Sequence, residues 1–218
     1  MNYIFNERQY TPLCEIMGRH GSDKGHLNIN DSQHNYTTFY YSIFNKLRYK
    51  KLRIFELGLG TNNVNMPSHM GVNGRPGASL YGWKEFFPNS DIFGADIDTD
   101  ILFNTDKIKT FYCDQTNSEI IKNMWDEPDL SENFDIIIED GLHEFHAHVC
   151  FFENSIHKLK HGGYFIIEDI LVHNEQPLID KIAEWENRYI GHSFKLIKIP
   201  STVNNYDNTL LVVFKNVL

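Results

Sequence analysis

From residue 52 onward, short apolar runs alternate with stretches whose apolar residues recur every three or four positions. LRIFELGLG (52–60) predicts a strand entering a glycine loop, and GASLYGWKEFF (77–87) a helix packing through Leu80, Trp83 and Phe87. DIFGADID (91–98), IKTFYCDQ (108–115) and FDIIIED (134–140) predict three further strands. In HEFHAHVCFFENSIHKLK (143–160), Phe145, Val149, Phe152, Ile156 and Leu159 fall at helical spacing, and HGG (161–163) reads as the stop. GYFIIED (163–169) is the fifth strand, and PLIDKIAEWENRYI (177–190) a helix with Pro177 in its first turn. SFKLIKI (193–199) and TLLVVFK (209–215) close the pattern as two strands joined by PSTVNNYDN.

Apolar strands alternating with helices imply a largely parallel sheet covered on both faces. Before residue 52 the pattern is weaker. YTTFYYSIFNKL (36–47) predicts one docking helix, through Phe39, Tyr40, Ile43, Phe44 and Leu47, and GSDKGH (21–26) is too polar and glycine-rich for a regular element. Residues 1–50 are therefore expected to form a helical and loop extension, a substrate lid, on a domain spanning 51–218.

The 218 residues suit one such domain, and the formal charge of −9 argues against nucleic-acid binding, which needs clustered Lys and Arg. Cys14, Cys113 and Cys150 lack metal-ligand spacing and read as reduced, packed thiols. With no secretory signal and no apolar run of ~20 residues, no membrane span and a cytoplasmic location are expected.

Ligands of such sheets bind beyond the carboxyl ends of the strands, and here the first, second, fourth and fifth strands end in acids. Gly58 and Gly60 let backbone approach a ligand, but the third glycine of the dinucleotide fingerprint is missing. With Glu56 at the strand end, a cofactor carrying an amine or sulfonium is favoured over a pyrophosphate. Asp96 is the candidate for ribose hydroxyls, while Asp98 and Asp100 suit a helix cap. Asp114 and Gln115 face an adenine edge or simply make a turn.

If the fourth and fifth strands are neighbours, Asp140, Glu168 and Asp169 converge and repel one another unless a cation lies between them. Oxygen ligands with one nearby histidine favour Mg²⁺, Mn²⁺ or Ca²⁺ over zinc. His143, three residues past Asp140, has the chemistry of a general base, whereas His146 and His148 read as surface histidines.

Together, GSDKG with HNYTTFY downstream, FELGLG, GASLYGWKEFFPNSDIFGADID, CDQTN, DGLH and GGYFIIED resemble the class I S-adenosylmethionine-dependent methyltransferases. Within them the chain resembles the metal-dependent sugar O-methyltransferases of the macrocin and mycinamicin type. The resemblance implies a Rossmann-like α/β fold, a doubly wound, mostly parallel seven-stranded sheet with a C-terminal antiparallel strand. It implies S-adenosylmethionine near Glu56, Gly58, Asp96 and Asp114, Mg²⁺ (or Mn²⁺) on Asp140, Glu168 and Asp169, and His143 as base. The acceptor expected is a small molecule, a sugar or a nucleotide- or phosphate-linked glycan precursor, with a homo-oligomer left open. Leu142 departs from the small residue common in the DGLH motif, and the long loop 61–77 reads as a lid or a surface insertion. Two other readings remain: an oxygenase related to the cephalosporin hydroxylases, disfavoured by a single plausible histidine, and a non-catalytic cofactor-binding protein.

Overall fold

The computed structural model describes residues 3–25 and 34–217. Seven strands form one sheet: β1 (Arg53–Leu57), β2 (Asp91–Asp96), β3 (Ile108–Tyr112), β4 (Phe134–Glu139), β5 (Leu159–Ile167), β6 (His192–Lys198) and β7 (Thr209–Lys215). Their order is β3-β2-β1-β4-β5-β7-β6, with β7 antiparallel to both neighbours and the remaining pairs parallel. This is the Rossmann-like methyltransferase topology anticipated above.

Residues alternate across the sheet, so each apolar run feeds two cores. Ile54, Ile136, Ile138 and Ile166 point to one face, under α1 (Pro12–His20), α2 (Tyr36–Phe44) and α3 (Ala78–Phe86). Phe55, Ile137, Phe165 and Ile167 point to the other, under α4 (Ser118–Trp125), α5 (Phe145–Ser155) and α6 (Val172–Arg188). Leu13 and Met17 of α1 and Tyr36, Phe39, Tyr40 and Phe44 of α2 belong to the first core, packed with Leu80 and Trp83. The first fifty residues thus share their apolar interior with the sheet.

Three local expectations are corrected. HGG does not end a helix: it lies inside β5, which starts at Leu159. There the register against β4 shifts between Phe134 and Ile136, and a Cβ on Gly163 would meet the Asp135 carbonyl oxygen at 2.8 Å. The glycines serve a bulge. Helix α6 begins at Val172, so Pro177 sits within it instead of opening it. Helix α1, unassigned from the apolar pattern, is capped by Thr11, whose side chain accepts from Cys14 N–H, and ends at Gly21 with φ 89°.

Among the described residues no helix is long and apolar enough to cross a membrane, and the three cysteines are free.

Candidate functional site

Parallel pairing of β4 with β1 and β5 brings the ends of three strands side by side, and their exit loops open into a cleft of about 740 Å³. That volume suits a nucleoside-sized ligand together with part of a second molecule. Gly58, Gly60, Asp96, Asp114, Gln115, Asp140, His143 and Asp169 all line it. Glu56 and Glu168 do not; they are buried beneath it, at 0% and 1% exposure.

The glycine loop works by close approach. Gly58 has φ 91°, and a Cβ there would fall 1.7 Å from the backbone oxygen of Asp140. The loop is anchored by Asp96, which accepts from Leu59 N–H at 2.7 Å and from Asp98 N–H at 2.9 Å. Two bonds leave a carboxylate with capacity for a ribose hydroxyl. Asp114 Oδ1 accepts from its own turn at Thr116 N–H and Oγ1. Gln115 is engaged at both ends of its amide: Nε2 donates to Glu139 at 3.0 Å, and Oε1 accepts from Leu142 N–H at 2.8 Å. It holds the DGLH turn in place.

Glu139 explains part of the acidic end of β4. It is fully buried, bonded to Gln115, the Gly141 N–H and the ring of His148. Burial alone would push its carboxyl up, yet the His148 and Gln115 partners hold it below the ordinary range. His148 is therefore a core residue, not the surface histidine expected; His146 is exposed.

Below the cleft lies a second polar layer. Lys24, 2% exposed, donates to Asp140 and Glu168 and has Glu56 3.7 Å away. Tyr40 donates to the other oxygen of Glu168, while Ser79 and Trp83 donate to Glu56. Burial would strip the ammonium of its proton, but Asp140, Glu168 and Glu56 outweigh that and keep it charged. Burial likewise works against ionised Asp140, and Lys24 with His143 brings its pKa down to about 2. One ammonium cannot satisfy three carboxylates, so burial leaves Glu56 and Glu168 raised. The sequence showed GSDKG as a glycine-rich loop and a piece of the family resemblance, with no role assigned to Lys24. A lysine between glycines, in a chain with surplus strand-end acids, was the available signal.

His143 and Asp169 face each other with left-handed backbones, φ 61° and 52°, a conformation costing non-glycine residues about 1–3 kcal/mol. The His143 Nε2 lies 3.4 Å from Asp140 Oδ1 and 3.6 Å from Asp169 Oδ2, buried and without a hydrogen bond. Burial lowers its pKa, but Asp169 and Asp140 more than reverse this, raising it to about 10. Asp140, His143 and Asp169 offer ligand atoms within 4.8 Å of one another. His34, missed in the sequence, lines the same cleft on the far side of Asp169.

Loop 61–77 forms a wall: Met66, Pro67, Ser68, His69 and Met70 line the cleft, and Ser68 Oγ donates to the Leu142 carbonyl at 3.0 Å. Opposite, Ile97 is 48% exposed and gives the cleft an apolar flank beside Asp96.

No known protein-family profile matches the chain. Among curated proteins, the 8-demethyl-8-(2-methoxy-alpha-L-rhamnosyl)-tetracenomycin-C 3'-O-methyltransferase of Streptomyces olivaceus is 30% identical over 158 residues, 72% of this chain and 36% of that protein. L-olivosyl-oleandolide 3-O-methyltransferase of Streptomyces antibioticus is 30% identical over 159 residues, 72% of this chain and 37% of its own length. Mycinamicin VI 2''-O-methyltransferase of Micromonospora griseorubida is 31% identical over 138 residues, 63% and 32% of the two chains. The chain spans about a third of the length of the curated relatives it matches. Among solved structures, MycE methyltransferase from the mycinamycin biosynthetic pathway, in complex with Mg and SAH, superposes with a TM-score of 0.70 at 23% identity. The match covers 96% of this chain and 56% of that one, and it establishes the fold. By sheet order, by the cleft at its strand ends and by these relatives, the chain belongs to the class I S-adenosylmethionine-dependent methyltransferases and is similar in sequence to the sugar O-methyltransferases among them.

Proposed function

We propose that the protein is a divalent-metal-dependent O-methyltransferase acting on a hydroxyl of a sugar or glycoside. The observation that carries this is the convergence of Asp140, His143 and Asp169 at the mouth of a cleft floored by the Gly58 loop and Asp96. The donor set fits a hard cation, with carboxylates presented at the cleft and a buried, unbonded His143 Nε2 turned toward them. Asp140 and Asp169 would hold the cation, and Glu168 stands behind them as the third carboxylate, tied to Lys24 and Tyr40.

S-adenosylmethionine supplies an electrophilic methyl, and the divalent ion a Lewis acid that lowers the pKa of the acceptor hydroxyl. The chain does the rest. Gly58 and Gly60 admit the cofactor's backbone-facing edge, and Asp96 accepts from its ribose. Asp114 and Gln115 border its base, and Glu56 lies beneath, bonded to Ser79 and Trp83 of α3. His143 would take the acceptor hydroxyl's proton as its oxygen replaces the sulfonium sulfur on the methyl carbon, the S–C bond electrons leaving with neutral S-adenosylhomocysteine. Isolated, the two carboxylates would keep His143 protonated, since they raise its pKa to about 10. With Asp140 and Asp169 holding a cation, their pull on the His143 proton would be offset and the ring could act as a base.

Residues 1–50 serve as the extension and 51–218 as the catalytic domain. Because α1 and α2 are built into the core, a lid function falls to loop 61–77, which lines the cleft. His34 and His143 fall in separate ligand groups, which counts against a two-histidine oxygenase centre.

Calorimetric titration of S-adenosylhomocysteine, with Mg²⁺ and then with EDTA, tests cofactor binding. Labelled methyl transfer to a panel of free and phosphate-linked glycosides then tests the acceptor. Absence of cofactor binding in both conditions would overturn the proposal.

A further inference from the structure

On the far side of Asp169 from His143, two groups that the proposed reaction does not use converge on it. His34, Asp169 and Asp207 offer ligand atoms within 4.8 Å of one another. His34 is 4% exposed, its Nε2 lies 3.5 Å from Asp169 Oδ1, and its ring stacks on Tyr36 with centroids 4.5 Å apart. The two carboxylate oxygens of Asp169 therefore look in opposite directions: Oδ2 toward His143, Oδ1 toward His34 and the Tyr36 hydroxyl.

The hydrogen bonds behind His34 determine which of its nitrogens carries the proton. Asn35 Nδ2 donates to two backbone carbonyls, Glu7 at 3.1 Å and Pro200 at 3.0 Å, so its Oδ1 must be the acceptor for Asn208. Asn208 Nδ2 donates to that oxygen and to the Ile199 carbonyl, each at 2.7 Å, so its Oδ1 faces His34 Nδ1 at 3.2 Å. An acceptor there requires a proton on Nδ1. The Asn204 amide, 3.4 Å from the same nitrogen, is the longer contact, and Asp207 Oδ1 accepts one of its N–H groups at 2.7 Å. In the neutral ring, Nε2 then carries the lone pair, 3.5 Å from Asp169 Oδ1, on a buried side chain. A ligating histidine has this arrangement, its far nitrogen donating to a fixed acceptor.

Charge points the same way. Lys24 is taken up by Glu56, Asp140 and Glu168, and among the described residues neither Asp169 nor Asp207 has a lysine or arginine partner.

We propose that His34, Asp169 and Asp207 form a second divalent-cation site, with Asp169 shared between it and the first. Its mixed nitrogen and oxygen donors suit Mn²⁺ better than Mg²⁺. The inference builds on the metal site proposed above, and the test separates the two. The full chain is dialysed against Mn²⁺, the bound metal counted by mass spectrometry, and its paramagnetic resonance spectrum recorded. Two ions per wild-type chain with a spin-coupled spectrum are expected. His34→Ala and Asp207→Asn should each retain one ion and show an uncoupled spectrum. One ion in the wild type overturns the second site and leaves the first standing; none overturns both. Two ions that survive both substitutions also overturn it, because the second ion then lies elsewhere.

Discussion

The ammonium of Lys24 is bonded to the carboxylate of Asp140, 116 residues away along the chain, at the floor of the cleft. The contact ties the loop after α1 to the end of β4. It also places a fixed positive charge under the groups that would hold a cation.

Replacing Lys24 with Met should expose the importance of that charge. Removing one partner of a buried ion pair costs about 3–5 kcal/mol, because the other partner stays buried without countercharge. Urea unfolding of Lys24→Met is expected to show a loss of this size, partly restored by Mg²⁺. A wild-type midpoint in chelator would mean the carboxylates do not depend on Lys24.

His143→Ala tests the base. Methyl transfer should fall about 10²–10⁴-fold, with S-adenosylhomocysteine affinity unchanged, since the ring lies beyond the Gly58 loop. Equal losses in both measurements would assign His143 to cofactor binding instead.

The protonation of His143 should report the cation. Without metal, Asp169 and Asp140 raise its pKa to about 10 against the pull of burial. Ring proton resonances followed by NMR should therefore titrate well above neutrality in EDTA and shift downward with Mg²⁺. No shift on adding metal would dissociate His143 from the cation site.

Gly58→Ala should be severely damaging. The residue has φ 91°, and its Cβ would lie 1.7 Å from a backbone oxygen that cannot rotate away. The left-handed conformation alone costs about 1–3 kcal/mol, and the loop must also move off β4. A drop in melting temperature together with loss of cofactor binding is expected from thermal scans and calorimetry.

Glu139 sets a pH dependence. Its folded pKa lies below the ordinary carboxylate value of about 4.3. Its contribution is therefore complete above that value and disappears as the pH falls through the lower, folded one. Glu139→Gln should flatten the decline of stability with acid, measured as urea midpoints between neutral pH and pH 3. An unchanged slope would place the acid sensitivity elsewhere.

The strands were legible because five apolar runs end at acids or glycines, and a parallel sheet has few other ways to bury them. The Gly58 loop, Asp96, Asp140 and Asp169 follow from that register. What escaped notice depended on distant partners. Helix α1 carries Thr11-Pro12 at its start and Gly21 at its end, sound caps around a weakly periodic stretch. His148 looked like a surface residue until Glu139, on another element, supplied its partner. Lys24 and His34 lie in polar loops whose local sequence carries no period. Only their convergence with strand ends more than 100 residues downstream gives them meaning.

Strand β7 runs opposite to its neighbours, so its beginning, not its end, meets the carboxyl edge of the sheet. The turn before it thereby sets Asp207 and Asn208 against His34 and Tyr36. During synthesis on a ribosome, the cleft wall stays unfinished until this hairpin has left the exit tunnel. Asp169 and His34 therefore gain their last neighbours only after Asp207 and Asn208 have emerged, well after β5 itself.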